Sequence, residues 1–259
     1  MKSPLLLHIP HSSLTIPKAV RDKLCISEAE LERELLRMTD RYTDILFDLP
    51  TITNHSIIYP VSRLVVDPER FEDDEKEPMA AVGMGVIYTA TSQKTLLRTQ
   101  PDVCERTELL DAFYHPHHRR FTEAVAELLN EAGQALIIDC HSFASRPLPY
   151  ELNQENDRPD ICIGTDSFHT PNWLLDSVRE AFQMLGYSVA VDHPFAGTIV
   201  PMAYYHQEPR VLSIMIEINR KLYMHEATGE KGLFFPNVKA DITTVVTQVL
   251  DTCTIRSCL

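Results

Sequence analysis

The run Val211-Leu212-Ser213-Ile214-Met215-Ile216-Glu217-Ile218 is apolar at six of its eight positions. A strand with one face in water would alternate polar and apolar side chains. This one reads as buried on both faces, which requires a sheet covered by helices on each side. Shorter runs of the same kind recur at 4–9, 135–139 (ALIID), 161–164 (ICIG) and 187–192 (YSVAVD).

Amphipathic stretches lie between them. Ser27 and Glu30 form an S-x-x-E capping box, and EAELERELLRM then places Leu31, Leu35 and Met38 on one face. That helix continues, or restarts at Thr39, through TDRYTDILFDL. A second helix spans His118 to Ala132 and is ended by Gly133. A third is capped by Thr170 and opened by Pro171, and a fourth runs from Asp241 to about Asp251. SIIYPVSRLVVD reads as one or two strands and FEDDEKEP as a solvated loop. Strands alternating with helices predict an α/β fold with a mostly parallel sheet. No compositional break divides the 259 residues, so a single domain over 1–259 is expected.

In such sheets, ligand sites form at the carboxyl ends of the strands. LLLHIPHSS places His8 inside the first strand and His11 just past it. Asp139-Cys140-His141-Ser142 sets His141 directly after ALIID, and Glu217 stands near the end of its own run. A strand-end histidine is commonly no more than a hydrogen-bonded structural residue. A carboxylate in an apolar run, however, is costly unless paired or coordinated. Thr39-Asp40-Arg41-Tyr42-Thr43-Asp44 offers two more carboxylates, one turn apart on one face if helical. They serve either as helix cap and surface charge, or as a metal ligand and a group orienting one. Two histidines, a carboxylate and an open position for water form the ligand set of many hydrolytic zinc sites. His11, His141 and either Asp40 or Asp44 are therefore candidate metal ligands.

Arg63, Asp67 and Arg70 cluster around an expected strand end in SRLVVDPER, and Asn219-Arg220 follows Glu217. The planar guanidinium suits carboxylates, so together the arginines fit a pocket for a diacid. In YHPHHRR, His118 either faces the site or serves the first helical turn. His169, just before Thr170-Pro171, either lines the pocket or precedes the cap.

Other chemistries find no support. There is no G-x-S-x-G elbow for Ser142, no Walker A and no G-x-G-x-x-G. Cys140 adjoins His141 along a strand, which is not how catalytic Cys–His pairs meet. The net charge of -13 disfavours nucleic acid and anionic membrane surfaces, while a local arginine cluster still admits a small anionic substrate. The first apolar run is too short for a signal-peptide core, and none nears the roughly 20 residues of a membrane span. Cys25, Cys104, Cys140, Cys162, Cys253 and Cys258 contain no C-x-x-C pair and read as reduced cytoplasmic thiols.

IPHSS, TDRYTDILF, SRLVVDPER, YHPHHRRF, IIDCHSF, ICIGTDSFHTP, HPFAGTIVP and IEINRKLYM, in this order over roughly 4–225, resemble the N-formylglutamate amidohydrolase family. The resemblance implies a three-layer α/β/α fold with a mixed, mainly parallel sheet, similar to the zinc carboxypeptidase and aspartoacylase group. It implies one zinc per chain, with His11 and His141 as its histidine ligands and Glu217 as general base and acid. That group has an H-x-x-E ligand motif, but Leu14 stands three residues after His11. The carboxylate ligand then falls to Asp40 or Asp44. Arg63, Arg70 and Arg220 would hold substrate carboxylates, with Asn219, His169 and Thr198 lining the pocket. The implied substrate is N-formyl-L-glutamate, cleaved to formate and glutamate. Deacylation of a bulkier N-acyl amino acid or small peptide, and a non-catalytic amino-acid-binding protein on the same scaffold, are the alternatives.

Overall fold

The computed structural model describes residues 3–50 and 55–257. Six strands, β1 (Leu5–Ile9), β2 (His55–Ile58), β3 (Ala135–Phe143), β4 (Ile161–Gly164), β5 (Val189–Val191) and β6 (Val211–Asn219), form one sheet in the order β2-β1-β3-β6-β4-β5. β2, β1, β3 and β6 run parallel, β4 is antiparallel to β6, and β5 is parallel to β4. The sheet is thus mixed and mainly parallel. The helices are α1 (Lys18–Arg21), α2 (Glu28–Met38), α3 (Thr43–Leu46), α4 (Val103–Leu109), α5 (His115–Ala132), α6 (Asn172–Met184) and α7 (Phe235–Ser257).

The alternation of side chains along each strand builds the layers. Leu5, Leu7, Leu136, Ile138, Ile214 and Ile216 pack with α6 through Leu174 and Phe182 and with α7 through Ile242 and Val245. Leu6, Ile137 and Val211 point the other way and pack with Phe121, Val125 and Leu128 of α5. This is the α/β/α arrangement anticipated above.

The same period puts His8, Asp139, His141 and Glu217 on the α5 face, with His8 opposite Asp139 and His141 opposite Glu217 in register. A buried aliphatic side chain contributes about 1.5–3 kcal/mol relative to an exposed one. Four positions of the central strands forgo that contribution, so packing does not explain them.

Several expectations are corrected. The Ser27–Glu30 capping box forms, but α2 stops at Met38, and Tyr42, at φ +70°, precedes a separate short α3. Leu64, Val65 and Val66 are not a strand. They are buried in a succession of turns, with Val65 N–H donating to the Ser62 carbonyl at 2.8 Å. Val65 and Val66 pack with Leu109 of α4, an element not expected from the sequence, and Leu64 packs with Leu31 and Met38 of α2. α7 starts at Phe235, so Asp241 lies inside it and accepts the Tyr187 hydroxyl at 2.6 Å instead of capping. No helix among the described residues is long and apolar enough to cross a membrane. Cys25, Cys104, Cys140 and Cys162 are free thiols, and Cys258 lies outside the described residues.

Candidate functional site

Pro10 ends β1, and His11 follows in the exit loop, its carbonyl accepting the Asp40 N–H at 3.0 Å. That bond draws the bend after α2 onto the end of the sheet. Asp40 therefore enters the site from a buried bend. Asp44 sits half-buried in the first turn of α3, so the expected one-turn pairing of the two aspartates on a single helix does not form. His141 lies within β3, which continues beyond Asp139 to Phe143.

Each imidazole is gripped by carboxylates. His11 Nε2 is 2.9 Å from Asp67 Oδ1. Its Nδ1 is buried without a hydrogen-bond partner, 3.7 Å from both Asp40 Oδ2 and Glu69 Oε2. His141 Nδ1 is 3.1 Å from Asp40 Oδ2, and its Nε2 is 3.1 Å from both Glu69 Oε2 and Asp139 Oδ1. One ligand atom each from His11, Glu69 and His141 lie within 4.8 Å of one another, close enough to share a metal ion.

Glu69 was not singled out from the sequence, although its neighbours Asp67 and Arg70 were. The signal was the Asp-Pro step, a turn initiator. Asp67 Oδ1 accepts the Glu69 N–H at 3.0 Å, an Asx-type turn that swings the Glu69 side chain into the site. His118, expected to face substrate, instead donates from Nε2 to the Pro68 carbonyl at 2.8 Å and pins this turn from α5.

The arginines divide. Arg63 donates to Asp67 Oδ2 at 2.7 Å and also reaches the Tyr88 hydroxyl at 3.0 Å, while Tyr88 donates to the same Asp67 oxygen. Arg220 donates to Asp40 Oδ1 at 2.8 Å, to Ser142 Oγ at 3.2 Å and to the Arg37 carbonyl. Its fork is committed to protein groups and holds Asp40 in place. Arg70 differs. Its Nε is buried without a hydrogen-bond partner, and its ion pairs to Asp67 and Glu77 are long, at 3.7 and 3.8 Å.

Three expected pocket residues are engaged by the protein's own groups. His169 is fully buried, with Nδ1 on the Val211 carbonyl at 2.7 Å and Nε2 accepting the His206 N–H at 2.9 Å. Asn219 caps the turn that holds Arg220 and donates to the Pro159 carbonyl at 2.9 Å. Thr198 is paired with Ser213 Oγ at 2.7 Å.

Burial pushes the carboxyls of Asp40, Asp67 and Glu217 upward, and their partners decide the outcome. For Asp40 the imidazoles of His11 and His141 and the Arg220 guanidinium outweigh burial and hold it well below the usual range. For Asp67, Arg63 and His11 do the same. Glu217 has a buried Oε2 with no hydrogen-bond partner. Burial, reinforced by the charge of Asp40 and opposed by His141 and Arg220, pushes its carboxyl up to about 8. A carboxyl titrating near neutrality beside a histidine–carboxylate cluster can both take and give a proton.

A family model described as N-formylglutamate amidohydrolase matches residues 3–224. Over 230 residues the chain is 27% identical to an N-formylglutamate deformylase of Pseudomonas putida, covering 86% of this chain and 82% of that protein. It is 29% identical to one from Pseudomonas aeruginosa, covering 86% and 83%. Among solved structures, an N-formylglutamate amidohydrolase from Ralstonia eutropha JMP134 matches with a TM-score of 0.84 at 23% identity, over 97% of this chain and 94% of the other. The gene product Atu2144 from Agrobacterium tumefaciens matches with 0.72 at 19%, over 98% and 92%. At those identities the structural likeness speaks for the fold.

Proposed function

The chain belongs to the N-formylglutamate amidohydrolase family, and from that premise we propose that it hydrolyses the amide of N-formyl-L-glutamate, or a close N-acyl amino acid, with zinc as cofactor. The observation that carries this reading is the convergence of His11, His141 and Glu69 on one point, beside Glu217.

The donor set fits a metal. His11 Nδ1 is a buried ring nitrogen with no protein partner. The opposite nitrogen is held by Asp67, and His141 Nδ1 is held by Asp40, the outer carboxylates that ligating imidazoles usually have. Of the carboxylates near both rings, Asp40 is already neutralised by Arg220. Among the described residues, the ion pairs of Glu69 are all to imidazoles, which makes it a better ligand than the Asp40 or Asp44 expected from sequence. Bound there, zinc would supply a Lewis acid and bring the pKa of water toward about 7.

The chain's own groups do the rest. Glu217 takes the proton of the attacking water and returns it to the departing amine nitrogen, which leaves as glutamate while formate forms. Arg70 turns its uncommitted guanidinium to a substrate carboxylate. Arg220 and Arg63 act through Asp40 and Asp67 and keep the imidazoles aimed. Glu217→Gln tests the assignment together with Glu69→Gln. The first should lower kcat by roughly 10²–10⁴-fold with metal content unchanged, and the second should lose metal and activity together. A Glu217→Gln enzyme within a few-fold of wild type would contradict the reading.

A further inference from the structure

Glu69 presents one oxygen to each of two histidines. Oε2 lies 3.7 Å from His11 Nδ1, and Oε1 lies 3.6 Å from His8 Nδ1. His8 Nδ1 is in turn 2.9 Å from Asp139 Oδ1, and one ligand atom each from His8, Glu69 and Asp139 fall within 4.8 Å of one another. His8 and Asp139 are buried and stand opposite each other on β1 and β3, one step deeper in the sheet than His11 and His141.

Three observations set this group apart from a simple hydrogen-bonded pair. First, the His8 ring is oriented from behind: its Nε2 meets His117 Nε2 at 2.9 Å, and it stacks on Phe121 of α5 with centroids 4.7 Å apart. That is the fixed geometry a ligating imidazole requires. Second, Asp139 Oδ2 is held by the Ile199 N–H at 3.3 Å, which leaves Oδ1 for the cluster. Third, no arginine or lysine among the described residues answers these two carboxylates. Asp40 has Arg220 and Asp67 has Arg63, but among the described residues the ion pairs of Glu69 and Asp139 are to histidines alone. Asp139, buried, and Glu69, half-buried, thus have no guanidinium or ammonium beside them, and a divalent ion would place cationic charge between them.

We propose that His8, Glu69 and Asp139 form a second divalent-metal site, with Glu69 bridging it to the ion held by His11 and His141. The inference rests on the proposed first site only in that Glu69 is shared. One imidazole and two carboxylates suit a first-row divalent ion such as Zn²⁺ or Mn²⁺. A single bridging carboxylate spans the roughly 3.5–4 Å typical of paired hydrolytic metals. An ion on His8 Nδ1 leaves the ring proton on Nε2, where His117 Nε2 accepts it.

The test counts ions. Metal-free, full-length enzyme is titrated with Mn²⁺ by calorimetry, bound metal is measured by elemental analysis, and the loaded sample is examined by electron paramagnetic resonance. The expected result is two ions per chain with the spectrum of an exchange-coupled pair, falling to one uncoupled ion in His8→Asn and Asp139→Asn. One ion in the wild type overturns the second site and leaves the first standing; no ion overturns both. Two uncoupled ions, or two ions retained in folded His8→Asn, place the second ion elsewhere and overturn the assignment. The wild-type count and spectrum decide the question even if a variant fails to fold.

Discussion

Asp67→Asn removes one charge and no volume from the most heavily used carboxylate of the site. Asp67 is fully buried and accepts from His11, Arg63, Tyr88 and the Glu69 N–H. An asparagine oxygen can keep the His11 and Glu69 side. Its amide NH₂ then faces Arg63, a donor, and leaves a guanidinium with a side chain only 12% exposed without its closest counter-charge. Breaking a buried ion pair from one side costs about 3–5 kcal/mol. The Tyr88 hydroxyl can rotate to accept from the new amide, which offsets about 1 kcal/mol. The net expectation is about 2–4 kcal/mol. For a chain of this size each kcal/mol moves Tm by about 2–4 °C, so Tm should drop by roughly 4–16 °C. The assay is thermal unfolding of metal-free protein, so that ligand linkage does not enter. Metal affinity, measured separately, should fall about 10–100-fold because His11 loses its orienting carboxylate. Arg63→Met added to Asp67→Asn should recover part of the loss, since both charges are then gone. An Asp67→Asn Tm within about 2 °C of wild type, with metal affinity intact, would show that Asp67 neither balances Arg63 nor orients His11.

Two further outcomes are expected. Arg70→Lys keeps the charge but loses the planar fork, so KM for N-formyl-L-glutamate should rise about 10-fold or more with a smaller change in kcat; an unchanged KM would remove Arg70 from substrate binding. Asp160 is pushed up by burial, but hydrogen bonds from Ser188 and the Lys221 ammonium prevail and leave it below its usual 3.8. Its contribution is present above the unfolded value and lost as pH falls through the folded one. Asp160→Asn should thus be less stable than wild type near neutrality and converge with it in acid, as urea midpoints would show; a gap independent of pH would contradict this.

The sheet was legible because β3 and β6 are apolar on both faces, and only a helix-covered sheet accommodates that. His11, His141 and Glu217 were legible for the same reason: polar groups stand out against such strands. Leu64, Val65 and Val66 misled because an apolar run does not say whether it is buried by pairing or beneath loops. The expected pairing of Asp40 with Asp44 on one helix failed because a left-handed Tyr42 breaks a pattern that reads as continuous helix. Glu69 was hidden because its placement comes from an Asp-Pro turn, pinned by His118 from a helix some fifty residues away in the chain. The division of labour among Arg63, Arg70 and Arg220 could not be read from a line of residues. It depends on which carboxylate each guanidinium meets after folding.

The most direct measurement is formate release from N-formyl-L-glutamate by the wild-type enzyme, before metal removal, after removal with a chelator, and after zinc is restored. Turnover should disappear with the metal and return with zinc. Folded, zinc-loaded enzyme that releases no formate would contradict the proposed substrate, and turnover that survives complete metal removal would contradict the metal centre.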